Sequence, residues 1–384
     1  MVVITVSPHP TPAGSAGPTR TFGVEEELLL VDAATLATAA AGEDAVRAHA
    51  ADHPSGPAPA HQVTTELQQE QIEVAGPPLT GLADQVAAIR RGRELADTAA
   101  RAVGARAVAL ASPVAAGRAH VVPTPRFRWL QRRFGLIAAE QLTCGLHVHV
   151  GVGSREEGVA VLDRIRAWLP VLLALSANSP FWYGQDTGFS SFRYQAWVRW
   201  PTTGPNEVFG SAAEHDRQRE ALLRTGVPLD PGMLYFDARL SARYPTVEVR
   251  IADVCLDAEQ AGVLAALARA LVETAARQWR ADLPPPPVSA AQLRAWSWQA
   301  SMAGVEDALI SPSTGGPAPA REVVAELLAL VRPVLAEWGE TERLETVVDA
   351  VLRDGSGARW QREAFAARQD PRDVVRMALE ATHR

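Results

Sequence analysis

Lysine is absent from the 384 residues, so all 37 basic side chains are arginines. That absence excludes a P-loop lysine, a Schiff-base lysine and a carbamylated lysine bridging metals, and any phosphate must meet arginine, a metal or the backbone. Cysteine is nearly absent as well. Cys144 and Cys255 lie far apart in the chain and make neither a disulfide framework nor a CxxC zinc cluster. A reducing, cytoplasmic setting is therefore expected. No apolar run reaches the roughly 18 residues that a membrane helix needs, and no early positive charge precedes an apolar core in MVVITVSPHPTPAGSAGPTR. The expectation is a soluble protein that is neither exported nor bound to membrane. An excess of positive charge is also missing: 37 basic residues face 44 acidic ones, a net charge of −7, so nucleic acid is not an expected partner.

What is present is an ordinary globular composition, 47% hydrophobic and 21% charged, in a chain long enough for a sizeable core. Residues 1–20, rich in Pro, Gly, Ser and Thr, read as a mobile tail, and residues 21–384 as one domain with a helical C-terminal portion. TFGVEEELLLVD reads as a buried strand, followed by a loop through Pro59. Thr80 to Arg101 reads as an amphipathic helix, and RAVALASP as a short strand. Ser154 and Glu157 form a capping-box pattern that opens a helix toward Asn178, interrupted by Pro170. Asp257 caps a helix reaching Trp279, and helices follow at about 290–309, 321–353 and 370–381. Between 178 and 210 the pattern breaks. Eight of the 23 aromatic residues fall between 181 and 200, and so long an irregular stretch is either a substrate-ordered lid or a plug in the core.

Side chains two apart on a strand share a face, so Glu25 and Glu27 project together while Glu26 points the other way. Paired carboxylates repel each other, and a hard divalent cation relieves that repulsion. TCGLHVHVGV puts His147 and His149 on one strand face, where imidazoles bind metal, phosphate or carboxylate, or are satisfied in the core. Cys144, at an odd offset, points away from them. TVEVRIADV is the cleanest alternation in the chain. It presents Glu248 and Arg250 on one face, either as a simple ion pair or as an acid for metal and a guanidinium for phosphate. In TTELQQEQIEVAG, periodicity leaves the geometry of Glu66, Glu70 and Glu73 open between helix and strand.

In order along the chain, FGVEEELLLVD, ELQQEQIEVA, TCGLHVHVGV, NSPFWYGQDTGFSSFRYQAWVRWP and TVEVRIADV resemble the bacterial carboxylate–amine ligases of the glutamate–cysteine ligase type 2 family. The resemblance spans about residues 21–280 and implies an α+β fold like that of glutamine synthetase, a curved antiparallel sheet with helices packed outside. It implies ATP-dependent formation of a γ-glutamyl amide, with weak glutamate–cysteine ligase activity, ATP and Mg2+ or Mn2+ as cofactors, and a homodimer. Glu25, Glu27, Glu66, Glu73, His147 and Glu248 match the family's cation-holding positions, and Arg250 a residue at the ATP phosphates. His149 is expected to reach substrate or nucleotide, and Glu70 to be merely solvated. The resemblance departs at GARAVALASP, where related ligases offer a further acid, so it does not carry over a complete three-cation site.

The expected reaction has two steps: a glutamate-like carboxylate takes the γ-phosphoryl group of ATP to give an acyl phosphate, and an amine such as cysteine then displaces phosphate. Glu248 and Arg250 are the expected catalytic pair. Arg193 and Arg199 in the aromatic stretch and Arg243 before the last strand are further candidates to clamp phosphate or the substrate carboxylate. Two alternatives stand beside this one. The first is a metal-dependent hydrolase built on the H-x-H strand with carboxylates, which the preponderance of acids makes the poorer fit to zinc. The second is a non-catalytic protein of the same fold that binds nucleotide or amino acid.

Overall fold

The structure, a computed structural model, describes residues 19–52 and 61–384. Its strands are β1 (Phe22–Asp32), β2 (Gln62–Thr65), β3 (Gln71–Ala75), β4 (Ala105–Val108), β5 (Gly145–Gly151), β6 (Phe181–Trp182), β7 (Gln185–Asp186), β8 (Ala238–Leu240), β9 (Thr246–Asp253), β10 (Ala308–Ile310) and β11 (Pro317–Pro319). Seven of them form one antiparallel sheet in the order β2-β3-β1-β5-β9-β8, with β4 end to end with β5 along the same edge of β1. The helices are α1 (Gly42–Asp52), α2 (Leu82–Arg101), α3 (Pro125–Phe134), α4 (Leu136–Ala139), α5 (Arg155–Ile165), α6 (Leu169–Ser176), α7 (Phe192–Trp197), α8 (Ala212–Arg224), α9 (Ala258–Arg280), α10 (Ala290–Ala303), α11 (Ala320–Glu337), α12 (Thr341–Asp354), α13 (Gly357–Arg368) and α14 (Pro371–Thr382). This is the expected α+β class with an antiparallel sheet.

Period-two alternation in β1, β5 and β9 sends Val24, Leu146, Val148, Val247, Val249 and Ile251 to one face, where they join the apolar sides of α2, α5 and α9 in the main core. The opposite face carries the polar residues of the same strands. Glu26, the middle acid of the EEE run, belongs to the helix side. Its carboxylate is gripped by Arg93 of α2 through Nε at 2.9 Å and Nη2 at 2.6 Å, while the same guanidinium donates to the carbonyls of Cys255 at 2.7 Å and Leu256 at 2.8 Å. A buried charge is tolerable only when its partners are complete, and here they are. Beyond Glu27, Leu28 to Val31 are buried on both faces in a second core closed by α14 through Val374, Val375, Ala378 and Leu379.

Several boundaries differ from the sequence reading. The segment after β1 contains the helix α1, which its Ala-, His- and Pro-rich surroundings hid. The stretch read as a single helix over 321–353 is α11 and α12, separated at Gly339, whose φ of 70° ends the first. The 290–309 helix stops at Ala303, because Gly304 adopts φ 56° and the chain turns into β10. Pro170 divides α5 from α6 as expected, and Asp257 accepts from the N–H groups of Glu259 and Gln260 at the start of α9. Ser154 caps α5, but Glu157 returns to the N–H of Gly153 rather than to that of Ser154, so only half of the box forms. The tail lies outside the described residues except for Thr19 and Arg20. Arg20 is held by Glu157 and Glu273, both at 2.6 Å. Among the described residues no helix is long and apolar enough to cross a membrane.

The aromatic stretch is tied into the interior at both ends. Asp253 at the end of β9 is fully buried and accepts from the Asn178 N–H at 2.9 Å, the Ser179 hydroxyl at 2.7 Å and the Ser191 hydroxyl at 2.8 Å. Ser190 and Ser191 also donate their N–H groups to the Ser301 carbonyl of α10. Phe181, Tyr194 and Trp200 are buried. This packing favours the core plug over the lid.

Candidate functional site

The polar face of the sheet opens into a solvent-connected cavity of about 430 Å³, roofed by α3, by Trp197 and Trp200 and by the turn that joins β8 to β9. Strand register sets its floor. In β1 and β3, Glu27 stands directly across from Glu73; in β1 and β5, Glu25 stands across from His147; in β5 and β9, His149 stands across from Glu248. The ambiguity over TTELQQEQIEVAG resolves as a hairpin of β2 and β3, with Glu66 in the connection. Glu66 and Glu73 thereby enter the cavity, and Glu70 does not. Glu70 is buried rather than solvated, and accepts from the N–H and the ring of His120 at 3.0 and 2.5 Å.

Ligand-type atoms gather in three overlapping sets, each within 4.8 Å: Glu27, Glu66 and Glu73; Glu25, Glu73 and His147; Glu25, His149 and Glu248. Burial and the neighbouring charge of Glu27 push Glu66 up to about 7. Burial, with Glu66, Glu25 and Glu27 around it, drives Glu73 well above the usual carboxylate range. Burial would also raise Glu25, but the two imidazoles outweigh it and hold Glu25 low. His147 Nδ1 lies 3.6 Å and His149 Nε2 3.4 Å from Glu25, and neither buried nitrogen has a hydrogen-bond partner. Burial, then the charge of Arg250, disfavours a protonated His147. The other nitrogen of His149, Nδ1, lies 3.0 Å from the Thr246 hydroxyl, which orients the ring with Nε2 toward Glu25. Crowded acids, Glu66 and Glu73 among them raised by burial and by one another, beside imidazole nitrogens without partners, fit a divalent cation with hard oxygen and nitrogen ligands.

The opposite wall is cationic. Arg250 bonds Glu248 through Nη1, leaves its buried Nε without a partner, and lies 5.6 Å from the centroid of the Trp197 ring. Arg239 grips both oxygens of Glu248, at 2.8 and 3.1 Å. Burial opposes the charge of Glu248, but Arg250 and Arg239 prevail and hold it below the usual carboxylate range. Arg243 is exposed in the β8–β9 turn at the cavity rim. Arg193 lines the cavity but spends its guanidinium on the Ile251 and Arg250 carbonyls, at 3.2 and 3.4 Å, beside a bulge in β9. Arg199 stands apart from the cavity lining. It bonds Glu140 at 2.6 Å, and Glu140 lines a separate small recess of about 20 Å³ with Trp182 and Tyr183. Arg239 and Arg126, which lines the cavity and pairs with Asp230, escaped the sequence reading. ARL, the three residues of β8, is too short to read as a strand.

The Glutamate-cysteine ligase family 2 model matches residues 21–380. The chain belongs to that family. Among its relatives, "Putative glutamate--cysteine ligase 2-1" of Paenarthrobacter aurescens (strain TC1) is 52% identical over 370 residues, covering 95% of each chain. A relative of Streptomyces coelicolor (strain ATCC BAA-471 / A3(2) / M145), "Putative glutamate--cysteine ligase 2", is 47% identical over 94% of this chain and 99% of its own. In fold, this family member is similar to the crystal structure of the glutamate–cysteine ligase of Francisella tularensis in complex with AMP, with a TM-score of 0.65 at 14% identity over 95% of this chain and 89% of that one. A bifunctional glutathione synthetase of Pasteurella multocida gives a TM-score of 0.64 at 16% identity, over 95% of this chain and 51% of its own. Membership in a ligase family favours the ligase reading over the metal-dependent hydrolase.

Proposed function

We propose that this cavity performs ATP-dependent ligation of the γ-carboxylate of glutamate to an amine, with cysteine as the first amine to test and Mg2+ or Mn2+ as the cation. The observation that carries the proposal is the division of a single cavity into an acidic floor and a guanidinium wall, which suits a polyphosphate bound together with cations. The AMP in the related Francisella fold supports a nucleotide here. Glu25, Glu27, Glu66, Glu73 and His147 are the residues that would hold the cations, with Glu248 and His149 at the border of the guanidinium wall. A cation bound there would neutralise phosphate charge.

The chain's own groups supply the rest. The free edge of Arg250 donates to phosphate oxygens, and Trp197 packs against its guanidinium and fixes its plane. The substrate carboxylate oxygen attacks the γ-phosphorus and the bond to ADP breaks, giving an acyl phosphate. The amine nitrogen then attacks the acyl carbon, inorganic phosphate leaves, and the amide forms with loss of a proton. No lysine takes part, and arginine, which stays charged throughout, is suited to the phosphate role.

The test is incubation with ATP, Mg2+ and glutamate, with and without a panel of amines, following ADP, phosphate and γ-glutamyl amide. ADP should form only when the carboxylate is present, and amide only with an acceptor amine. ADP release indifferent to carboxylate would defeat the proposal.

A further inference from the structure

Arg239 is the cross-strand partner of Glu248, in direct register between β8 and β9. Its position is specified from both ends. Nη1 donates to the carbonyls of Gly232 at 2.9 Å and Leu234 at 3.0 Å, while Nε and Nη2 close on Oε2 and Oε1 of Glu248 at 2.8 and 3.1 Å. Arg250 takes a further lone pair of Oε1. An ionised carboxylate offers about four acceptor positions, so these arginines leave Glu248 little capacity. Yet Glu248 also belongs to the set with Glu25 and His149, whose ligand atoms lie within 4.8 Å of one another, and the Nε2 of His149 in that set has no partner. One carboxylate is thus claimed from two sides.

We propose that Arg239 is a competing counter-ion, which keeps Glu248 closed to a divalent cation until a phosphate-type anion draws the guanidinium away, so that cation and phosphoryl group enter this corner together. The inference rests on the cation reading of the cavity given above and adds to it an order of events and a residue responsible for it. The fork geometry suits such an exchange, because a phosphate presents the same paired oxygens as a carboxylate to the same guanidinium edge. Coupling of this kind is reciprocal: whatever factor the anion adds to cation affinity, the cation adds to anion affinity.

The experiment is a Mn2+ titration of the full-length protein without nucleotide, reading free Mn2+ by electron paramagnetic resonance, for wild type, Arg239→Gln and Arg239→Lys. Sulfate, a phosphate mimic that binds free Mn2+ weakly, is added in a second series at constant ionic strength. Arg239→Gln should bind Mn2+ more tightly than wild type by roughly tenfold, within the usual span of coupling between sites. Sulfate should tighten Mn2+ binding in wild type and leave Arg239→Gln unmoved. Arg239→Lys, which keeps the charge but not the fork, should fall between the two and covers the case in which the glutamine variant folds poorly by circular dichroism. Equal affinities in all three proteins, with wild type binding Mn2+, would overturn the counter-ion role and leave the cation reading intact. Absence of Mn2+ binding in all three proteins, with and without sulfate, would overturn both.

Discussion

At the scale of single residues, the cavity is a balance of charges that cannot all be ionised without help. Glu66, raised from 4.5 to about 7 in the folded protein, binds a proton there across a pH interval in which the unfolded chain has lost it. Its contribution to stability is therefore present at low pH and declines as pH rises from about 4.5 toward 7. Metal-free protein should melt at a lower temperature at pH 7.5 than at about pH 5.5, Mg2+ should recover part of the loss, and Glu66→Gln should flatten the profile; thermal melts with and without chelator measure all three. The two strand partners Glu248 and Arg250 should fail differently. Arg250→Lys keeps the charge and loses the fork, so the maximal rate should drop by roughly a hundredfold while the magnesium requirement stays near wild type. Glu248→Asp withdraws the carboxylate by one methylene and should demand more magnesium. Identical shifts in both titrations would reduce the pair to a strand-holding ion pair.

At the scale of elements, Asp253 joins the aromatic stretch to β9. Because both its oxygens accept hydrogen bonds in a fully buried place, Asp253→Ala leaves three donors unmet and should cost about 3 kcal/mol by urea denaturation. The same variant should become open to limited proteolysis between 178 and 200. In wild type, cleavage there should be slow and insensitive to ATP, Mg2+ and glutamate; clear protection by those substrates would restore the lid. Gly145 at the start of β5 is fixed by the same packing. A Cβ there would overlap the guanidinium of Arg193, which satisfies carbonyls at the β9 bulge, so Gly145→Ala should disturb β9 and also the backbone N–H that donates to Glu27 at 2.6 Å.

For the whole molecule, the polar face of the sheet depends on a helix far away in sequence. α14 covers the second core, its Thr382 hydroxyl accepts from the Ala109 N–H at 3.0 Å, and the Thr382 carbonyl accepts from Arg93, the guanidinium that neutralises Glu26 behind the sheet. Removal of residues 371–384 should uncover that core and release this contact. The expected result is loss of a cooperative thermal transition by circular dichroism, with binding of a hydrophobic dye, rather than a folded protein with lower activity. Arg93→Met, which leaves Glu26 buried without its cation, should destabilise the fold by about 3–5 kcal/mol in the same assay.

Local chemistry alone determined a good part of this. Period-two alternation decides which face a side chain takes, so Glu25 and Glu27, His147 and His149, and Glu248 and Arg250 could be paired before any strand had a neighbour. Helix caps and the glycine and proline interruptions are likewise short-range, and Asp257 and Pro170 were legible for that reason. What required the tertiary structure was every relation between strands. Register brought Glu27 to Glu73 and Arg239 to Glu248, and long-range packing buried Glu70, committed Arg193 to backbone carbonyls and placed Arg199 beside a different recess. A residue's type and its offset along the chain state which face it occupies, but pairing between strands is set by hydrogen bonds and core packing from residues dozens to hundreds of positions away. That is why Glu25, Glu27 and the imidazoles of the floor could be paired from the sequence, while the hairpin that brings in Glu66 and Glu73 and the guanidinium that competes for Glu248 could not.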